Sequence, residues 1–254
     1  MFDLIKLRKR HGYQAIPDIK NAKLMNTHRG FPVIDKSKCV DGCAACIDIC
    51  PTKAISKEPL SIDLGKCIFC GECERICSNG AIQFNNELKL ACSERKNLIV
   101  VANTSFEDYS AKAIEVRKEI HKLFGRSLKL RQVSAAGCNG CEMELNACGN
   151  VNFDMGRFGI DFVASPRHAD GIVITGPVSK NMAPALMDTY KSINEPKLVI
   201  AVGACAISGG VFAESDEINR TFFDEIKVDL FIPGCSPHPL TFIHGIMDFI
   251  SGKY

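Results

Sequence analysis

The chain has 254 residues, a formal net charge of +2 and 14 cysteines. That length accommodates one large or two modest domains with a core of useful size, and the near-neutral balance gives no reason to expect nucleic acid as a partner. The opening MFDLIKLRKRHG places a short apolar stretch before its basic residues, unlike a secretory leader. The longest apolar runs, such as LVIAVGACAI, are about half the ~20 residues that a membrane span needs. A soluble or peripheral protein is expected, with thiols grouped for metal ligation in a reducing compartment.

Residues 1–30 form a lead-in segment. Lys6, Arg8, Lys9 and Arg10 make a basic patch beside Phe2, Leu4, Ile5 and Leu7. A solvated helix face is one reading; docking on a membrane subunit or on headgroups is the sharper one. A duplication follows. IDKSKCVDGCAACIDICPTKAI (34–55) and IDLGKCIFCGECERICSNGAI (62–82) both begin Ile-Asp-x-x-Lys-Cys and both close on Ala-Ile. The second carries Cys67-x2-Cys70-x2-Cys73-x3-Cys77. The first carries Cys39-x3-Cys43-x2-Cys46-x3-Cys50-Pro51, one residue longer between its first two thiols.

This double motif resembles the bacterial two-cluster ferredoxin module, over about residues 31–85. In that family three thiolates of one run hold a 4Fe–4S cluster and the fourth crosses to the other. The resemblance therefore implies Cys39, Cys43, Cys46 and Cys77 on one cluster, with Cys50, Cys67, Cys70 and Cys73 on the second. Two departures stand out: the extra residue in Cys39-x3-Cys43, and Ser78 where a proline usually follows Cys77. Neither removes a ligand. The competing reading is two zinc sites, but zinc shells usually use two separated C-x2-C pairs.

Residues 86–110 read as a connector in which LIVV (98–101) adds a strand. Next, AKAIEVRKEIHKLFG sets Val116, Ile120, Leu123 and Phe124 on one helical face and ends at Gly125 as a C-cap. Short apolar runs then alternate with helical stretches: LKLRQV (128–133), DFVAS (161–165), GIVITG (171–176), KLVIAVG (197–203) and VDLFIPG (228–234), with helices near 181–193, 217–226 and 237–250. Such alternation predicts a mainly parallel sheet. Expected boundaries are a ferredoxin domain over 31–95, a connector and helix over 96–127, and an α/β domain over 128–254.

The remaining cysteines fall where open parallel sheets place ligands, just beyond strand ends. Cys138 and Cys141 follow the first strand of the α/β half, Cys205 follows KLVIAVG, and Cys235 follows VDLFI. Four thiolates from three strand ends suit one further 4Fe–4S cluster. Gly137, Gly140, Gly203 and Gly234 beside them allow a close backbone approach.

The segments CNGCE, SPRHADGIVITGPVSKNMAPAL, GACAISGG and IPGCSPHP, in this order over about residues 128–250, resemble the small cluster-bearing subunit shared by respiratory complex I and membrane-bound nickel–iron hydrogenases, formate hydrogenlyase among them. HGYQAIPDIKNAKL is similar to the lead-in of the ferredoxin-like subunits of those complexes; in most relatives the two modules are separate chains. The resemblance implies a flavodoxin-like α/β domain docked on a large subunit. Complex I subunits of this kind have two adjacent cysteines at the motif, whereas Asn-Gly separates Cys138 from Cys141, which favours the hydrogenase branch. The expected function is electron transfer through three 4Fe–4S clusters, between ferredoxin or another donor and a nickel–iron site in a partner chain. Partners would include membrane ion-translocating subunits, and the location the cytoplasmic face of the membrane. The runner-up is a nickel-free, complex I-like oxidoreductase subunit reducing quinone or a sulfur compound; a free-standing ferredoxin-like carrier is a third reading. Glu142 is a candidate proton relay, or simply an acidic residue opening a helix. Arg167, His168 and Asp170 line a proton or quinone route or only order their loop. Cys92 and Cys148 read as buried small residues.

Overall fold

The computed structural model describes residues 2–12, 16, 18–114 and 127–251. Helix α1 (Phe2–His11) is exposed along its length and carries Arg8, Lys9, Arg10 and His11 in its last turn, where cations oppose the helix dipole favourably.

The duplication in the sequence is a duplication in space. Strand β1 (Pro32–Ile34) precedes the first cysteine run and pairs antiparallel with β4 (Ile82–Phe84), which follows the second; β2 (Ile55–Lys57) follows the first and pairs antiparallel with β3 (Leu60–Asp63), which precedes the second. The register sets Ile34 against Ile82 and Ile55 against Ile62, and all four are buried. Even the aspartates match. Asp35 and Asp63 donate their backbone N–H to Ala81 O and Ala54 O, each at 2.8 Å. Their carboxylates accept from Ser37 N at 3.0 Å and Gly65 N at 2.9 Å. Short helices α2 (Ala45–Asp48) and α3 (Glu72–Ile76) sit within the two runs. The LIVV segment supplies β5 (Ile99–Val101), which joins the β2–β3 pair. Helix α4 (Phe106–Ala113) follows, capped by the Ser105 side chain on Asp108 N. The expected helical face of Val116, Ile120, Leu123 and Phe124, with its Gly125 cap, lies outside the described residues.

The second half is a five-stranded parallel sheet of β6 (Leu128–Ser134), β7 (Ile160–Phe162), β8 (Gly171–Thr175), β9 (Leu198–Val202) and β10 (Leu230–Ile232), in the order β7-β6-β8-β9-β10. This is the flavodoxin-like order, with its switch point between β6 and β8. Every residue of β8 and β9 is buried, as continuous apolar runs require when helices cover both faces. The helices are α5 (Gly140–Ala147), α6 (Met182–Lys191), α7 (Gly203–Ser208), α8 (Thr221–Glu225) and α9 (Pro239–Ser251). Helix α9 alone buries Leu240, Phe242, Ile243, Ile246 and Phe249, each contributing on the order of 1.5–3 kcal/mol. Helix α8 starts later than the expected 217. Glu217 O and Val178 O are bound to Lys180 N and Asn219 N at 2.9 and 2.8 Å, so residues 217–219 are engaged with the 178–180 loop and cannot enter a helix.

The two halves are joined by backbone as well as side chains. Cys92 and Phe231 exchange N–H···O bonds of 2.9 and 2.8 Å, so the connector runs along the free edge of β10 and shields it. Gly65 stands so close to Ile207 that an added Cβ would lie 2.7 Å from its methyl carbon, and within the N-terminal half the Asp63 carboxylate takes a two-pronged Arg95 guanidinium at 2.8 and 2.6 Å. The His244 ring nitrogen Nε2 lies 2.6 Å from Ile19 O.

Candidate metal centres

The structure gathers twelve of the fourteen thiols into three neighbourhoods, each assembled from separate stretches of chain. Cys39 follows a turn closed by its own N–H on Lys36 O at 3.1 Å, Cys46 lies in α2, and Cys77 ends α3. The inserted residue of this run is absorbed in a turn, Cys43 N on Val40 O at 3.1 Å, with Gly42 at φ 81°. Burial raises the Cys46 thiol above its ordinary value, and the neighbouring Cys39, Cys77 and Cys43 raise it further. Cys67 is pushed up to about 12, by burial first and also by Cys73, Cys50 and Cys70. Cys141 is pushed up to about 12 by burial, then by Glu142, Cys205, Cys235 and Cys138. Cys205 rises to about 11, by burial and then by Cys235, Cys138 and Glu142.

Thiols held this high are protonated in the free protein, and a cation that takes thiolates would have to displace those protons. Among the described residues no three His, Cys, Asp or Glu side chains converge as they would on a single ion. Several amides already point at sulfur. Ala54 N and Ala81 N donate to Cys50 Sγ and Cys77 Sγ at 3.3 and 3.2 Å, again in matching positions, and Phe69 N donates to Cys67 Sγ at 3.3 Å. Such donors stabilise bound thiolate and tune a cluster's potential. Left-handed residues mark the same loops: Lys53 at φ 51°, Phe69 at 54°, and Ala136 and Asn139 at 71° and 69° on either side of Cys138. Non-glycine residues there cost about 1–3 kcal/mol each and persist where the surrounding structure demands them. A donor set of four thiols with amides aimed at sulfur fits a 4Fe–4S cluster.

The neighbourhoods also lie within electrostatic reach of one another. Cys73 feels the charge of Cys46, and Cys235 feels that of Cys70. Between Cys70 and Cys235 lies a cavity of about 300 Å³, lined by His28, Arg29, Phe69, Pro233 and His238 among others. His238 caps α9: its Nδ1 accepts from Leu240 N at 3.1 Å, which requires an unprotonated ring. Burial, then His28 and His244, push this imidazole down to about 4 from its ordinary 6.5. Since the folded state resists the proton, the stabilisation is complete above pH 6.5 and is lost as pH falls toward 4. His238→Asn keeps a capping acceptor that does not titrate. Its urea midpoint is expected to fall less than that of the wild type between pH 7 and 5; equal falls would clear His238 of this role.

Glu142 is buried in the first turn of α5 and accepts from Thr175 Oγ1 at 2.5 Å. Asp170 does order its loop, accepting from Lys129 N at 2.7 Å, while Arg167 and His168 are exposed. Cys92 and Cys148 stand outside the three neighbourhoods, fully buried, with Cys92 Sγ 3.1 Å from Tyr109 Oη and Cys148 Sγ 3.3 Å from Glu144 O. Sequence reasoning missed two residues of these surroundings: His238, although it lies within IPGCSPHP, and Arg220, which had no local signature and whose guanidinium packs on the carbonyls around Cys205.

The profile of a 4Fe-4S dicluster domain matches residues 31–78, and that of the NADH ubiquinone oxidoreductase 20 kDa subunit matches residues 138–249. The probable membrane-bound hydrogenase subunit mbhJ of Pyrococcus furiosus is 40% identical over 129 residues, 51% of this chain and 77% of that protein. An NADH-quinone oxidoreductase subunit of Geotalea daltonii is 46% identical over 107 residues, 42% of this chain and 62% of that protein. Among solved structures, a chain of the membrane-bound sulfane sulfur reductase, an archaeal respiratory membrane complex, overlaps 52% of this chain and 73% of its own at 30% identity, with a TM-score of 0.46. The chain therefore belongs to the family of the 20 kDa NADH:ubiquinone oxidoreductase subunit, and bears a 4Fe–4S dicluster domain ahead of it.

Proposed function

We propose that this chain is the electron-transfer subunit of a membrane-bound nickel–iron hydrogenase complex. Its relatives are subunits of oxidoreductase complexes, of membrane-bound hydrogenase and NADH-quinone oxidoreductase type. In this reading Cys39, Cys43, Cys46 and Cys77 hold one 4Fe–4S cluster, Cys50, Cys67, Cys70 and Cys73 a second, and Cys138, Cys141, Cys205 and Cys235 a third. Such a cluster, when bound, takes up and releases one electron. The observation that carries the proposal is the serial arrangement of the thiols: the first set lies within electrostatic reach of the second through Cys46 and Cys73, and the second within reach of the third through Cys70 and Cys235. A protein that only stored iron would have no need of three sets in line. The chain's own residues do the rest. They exclude water from the inner thiols, aim amides at sulfur, and fix the ferredoxin half on the β10 edge so that the line is unbroken.

Two features support the hydrogenase branch: the C-x2-C spacing of Cys138 and Cys141, and the likeness to a probable membrane-bound hydrogenase subunit over most of that protein's length. The partner large subunit would carry the nickel–iron site, with ferredoxin or a donor subunit at the other end. The described helices include none long and apolar enough to cross a membrane, and the reading places the chain peripherally, on the cytoplasmic face, against ion-translocating membrane subunits. Glu142, buried beside Cys141, serves in this reading as a proton relay toward the large subunit.

Metal analysis of the intact complex, purified anaerobically from its native membrane, tests the branch. Nickel in stoichiometric amount with abundant iron is expected. Iron without nickel would overturn the hydrogenase assignment in favour of a complex I-like subunit that delivers electrons to quinone or a sulfur compound.

A further inference from the structure

Helix α7 begins at the very end of β9 and spans only Gly203–Ser208, with Cys205 in its middle. A helix this short leaves nearly all its carbonyls without intrahelical partners. Gly209 N takes Cys205 O at 2.8 Å. Ser208 Oγ takes Ala204 O at 3.0 Å, and one side chain gathers the carbonyls of Cys205, Ala206 and Ile207. Arg220 arrives from the loop before α8, and its Nη1 donates to Cys205 O at 3.2 Å and Pro177 O at 3.5 Å. Its Nη2 donates to Ala206 O at 2.8 Å and Ile207 O at 3.1 Å. The guanidinium carbon lies 4.5 Å from the centre of the Phe223 ring, which supports it from one side. A planar fork with five donors suits this task, and an ammonium group does not.

Two consequences follow. The Cys205 peptide is bound on its carbonyl, so Arg220 helps to hold the backbone that carries this thiol. A full positive charge is also held against the third thiol set. Among the described residues none of its donors contacts a carboxylate, so the charge is not cancelled by contact. Asp224 acts on it electrostatically, as does the cation Arg95, which is itself engaged by Asp63. On Cys205 the pull of Arg220 opposes that of Cys235, Cys138 and Glu142. Glu142, buried and close to both Cys141 and Cys205, is thus the negative counterweight.

We infer that Arg220 is the positioning residue of the third cluster: it orients Cys205 through the α7 carbonyls, and its fixed charge raises the reduction potential of the cluster that this thiol set holds. Reduction adds one negative charge to a cluster, and a nearby half-buried cation favours the more negative state. The inference rests on the ligand assignment proposed above.

The test is a redox titration of the whole complex followed by electron paramagnetic resonance. It compares wild type with Arg220→Gln and Arg220→Lys, and includes Cys205→Ala to identify the third signal. Arg220→Gln, which keeps a donor but no charge, is expected to shift the third midpoint downward and leave the other two in place. Arg220→Lys, which keeps the charge, is expected to stay closer to wild type. An unmoved third midpoint in Arg220→Gln, equal shifts in both variants, or loss of the third signal in both would each overturn the electrostatic role. Should Cys205→Ala retain all three signals, the ligand assignment itself would fall, independently of Arg220.

Discussion

Replacing Cys138 with alanine is expected to delete one iron–sulfur signal and roughly a third of the bound iron, with the other two signals unchanged in shape and size. The residue is exposed at the mouth of α5, so the substitution opens no core cavity, and an exposed side chain of this kind contributes within about 0.5 kcal/mol to stability. The effect therefore reports ligation. The eight thiols of the N-terminal half close upon one another across β1–β4 and β2–β3, with no contribution from the α/β sheet, so they have no reason to follow Cys138. Cys148→Ala is the counterpart: it removes a fully buried thiol outside the three neighbourhoods and should lower stability while keeping all three signals. The readouts are iron content and the paramagnetic resonance spectrum of the reduced protein. Loss of all three signals in Cys138→Ala would mean that the two halves do not hold their clusters independently.

What was legible in the sequence was local or repeated. Ile-Asp-x-x-Lys-Cys appears twice because one backbone solution is used twice: an aspartate carboxylate closes the turn ahead of the first thiol in each run, on Ser37 N and on Gly65 N. The strands of the second half were visible because a sheet covered on both faces needs unbroken apolar runs, and their order of appearance with helices between them implied a parallel sheet. Strand lengths were less visible. DFVAS gives only Ile160–Phe162, since pairing with β6 ends at Leu130 opposite Phe162. The third thiol set could be placed at strand ends from spacing alone. The groups that hold it could not. Arg220 on the α7 carbonyls and the Cys92–Phe231 bridge depend on which segments meet in three dimensions, and neither belongs to a motif, while His238 lies within IPGCSPHP but its role as a helix cap was not read from it. A lone arginine in NRTFF looks like any surface arginine until the loop that carries it is folded against Cys205. The glycines are a middle case: four of them beside the thiols looked alike in sequence, but the structure separates them.

Gly203→Ala is expected to abolish the third cluster, whereas Gly140→Ala is expected to keep it. Gly203 joins β9 to α7 at φ 86°, and a Cβ built on it would stand 2.6 Å from Cys141 Sγ. No real Cβ comes so close to another heavy atom, so the sulfur or the strand end must move. The left-handed conformation adds about 1–2 kcal/mol for alanine whatever the space. The sulfur cannot yield freely, because Cys141 is half-buried on α5 and thiols serving one cluster must all point at it. At Gly140 the added Cβ would meet Cys138 Sγ at 3.5 Å, an ordinary contact, and φ there is not left-handed. Alanine is moreover a better residue than glycine in a helix, by about 1 kcal/mol. The two variants differ by nothing but a methyl group at opposite sides of the same thiols, so general disturbance of the loop would affect both. Iron content and the third resonance signal, measured alongside thermal unfolding, separate the cases. If Gly203→Ala assembled the cluster normally, Cys141 would have to lie further from the β9 end than it does in this fold.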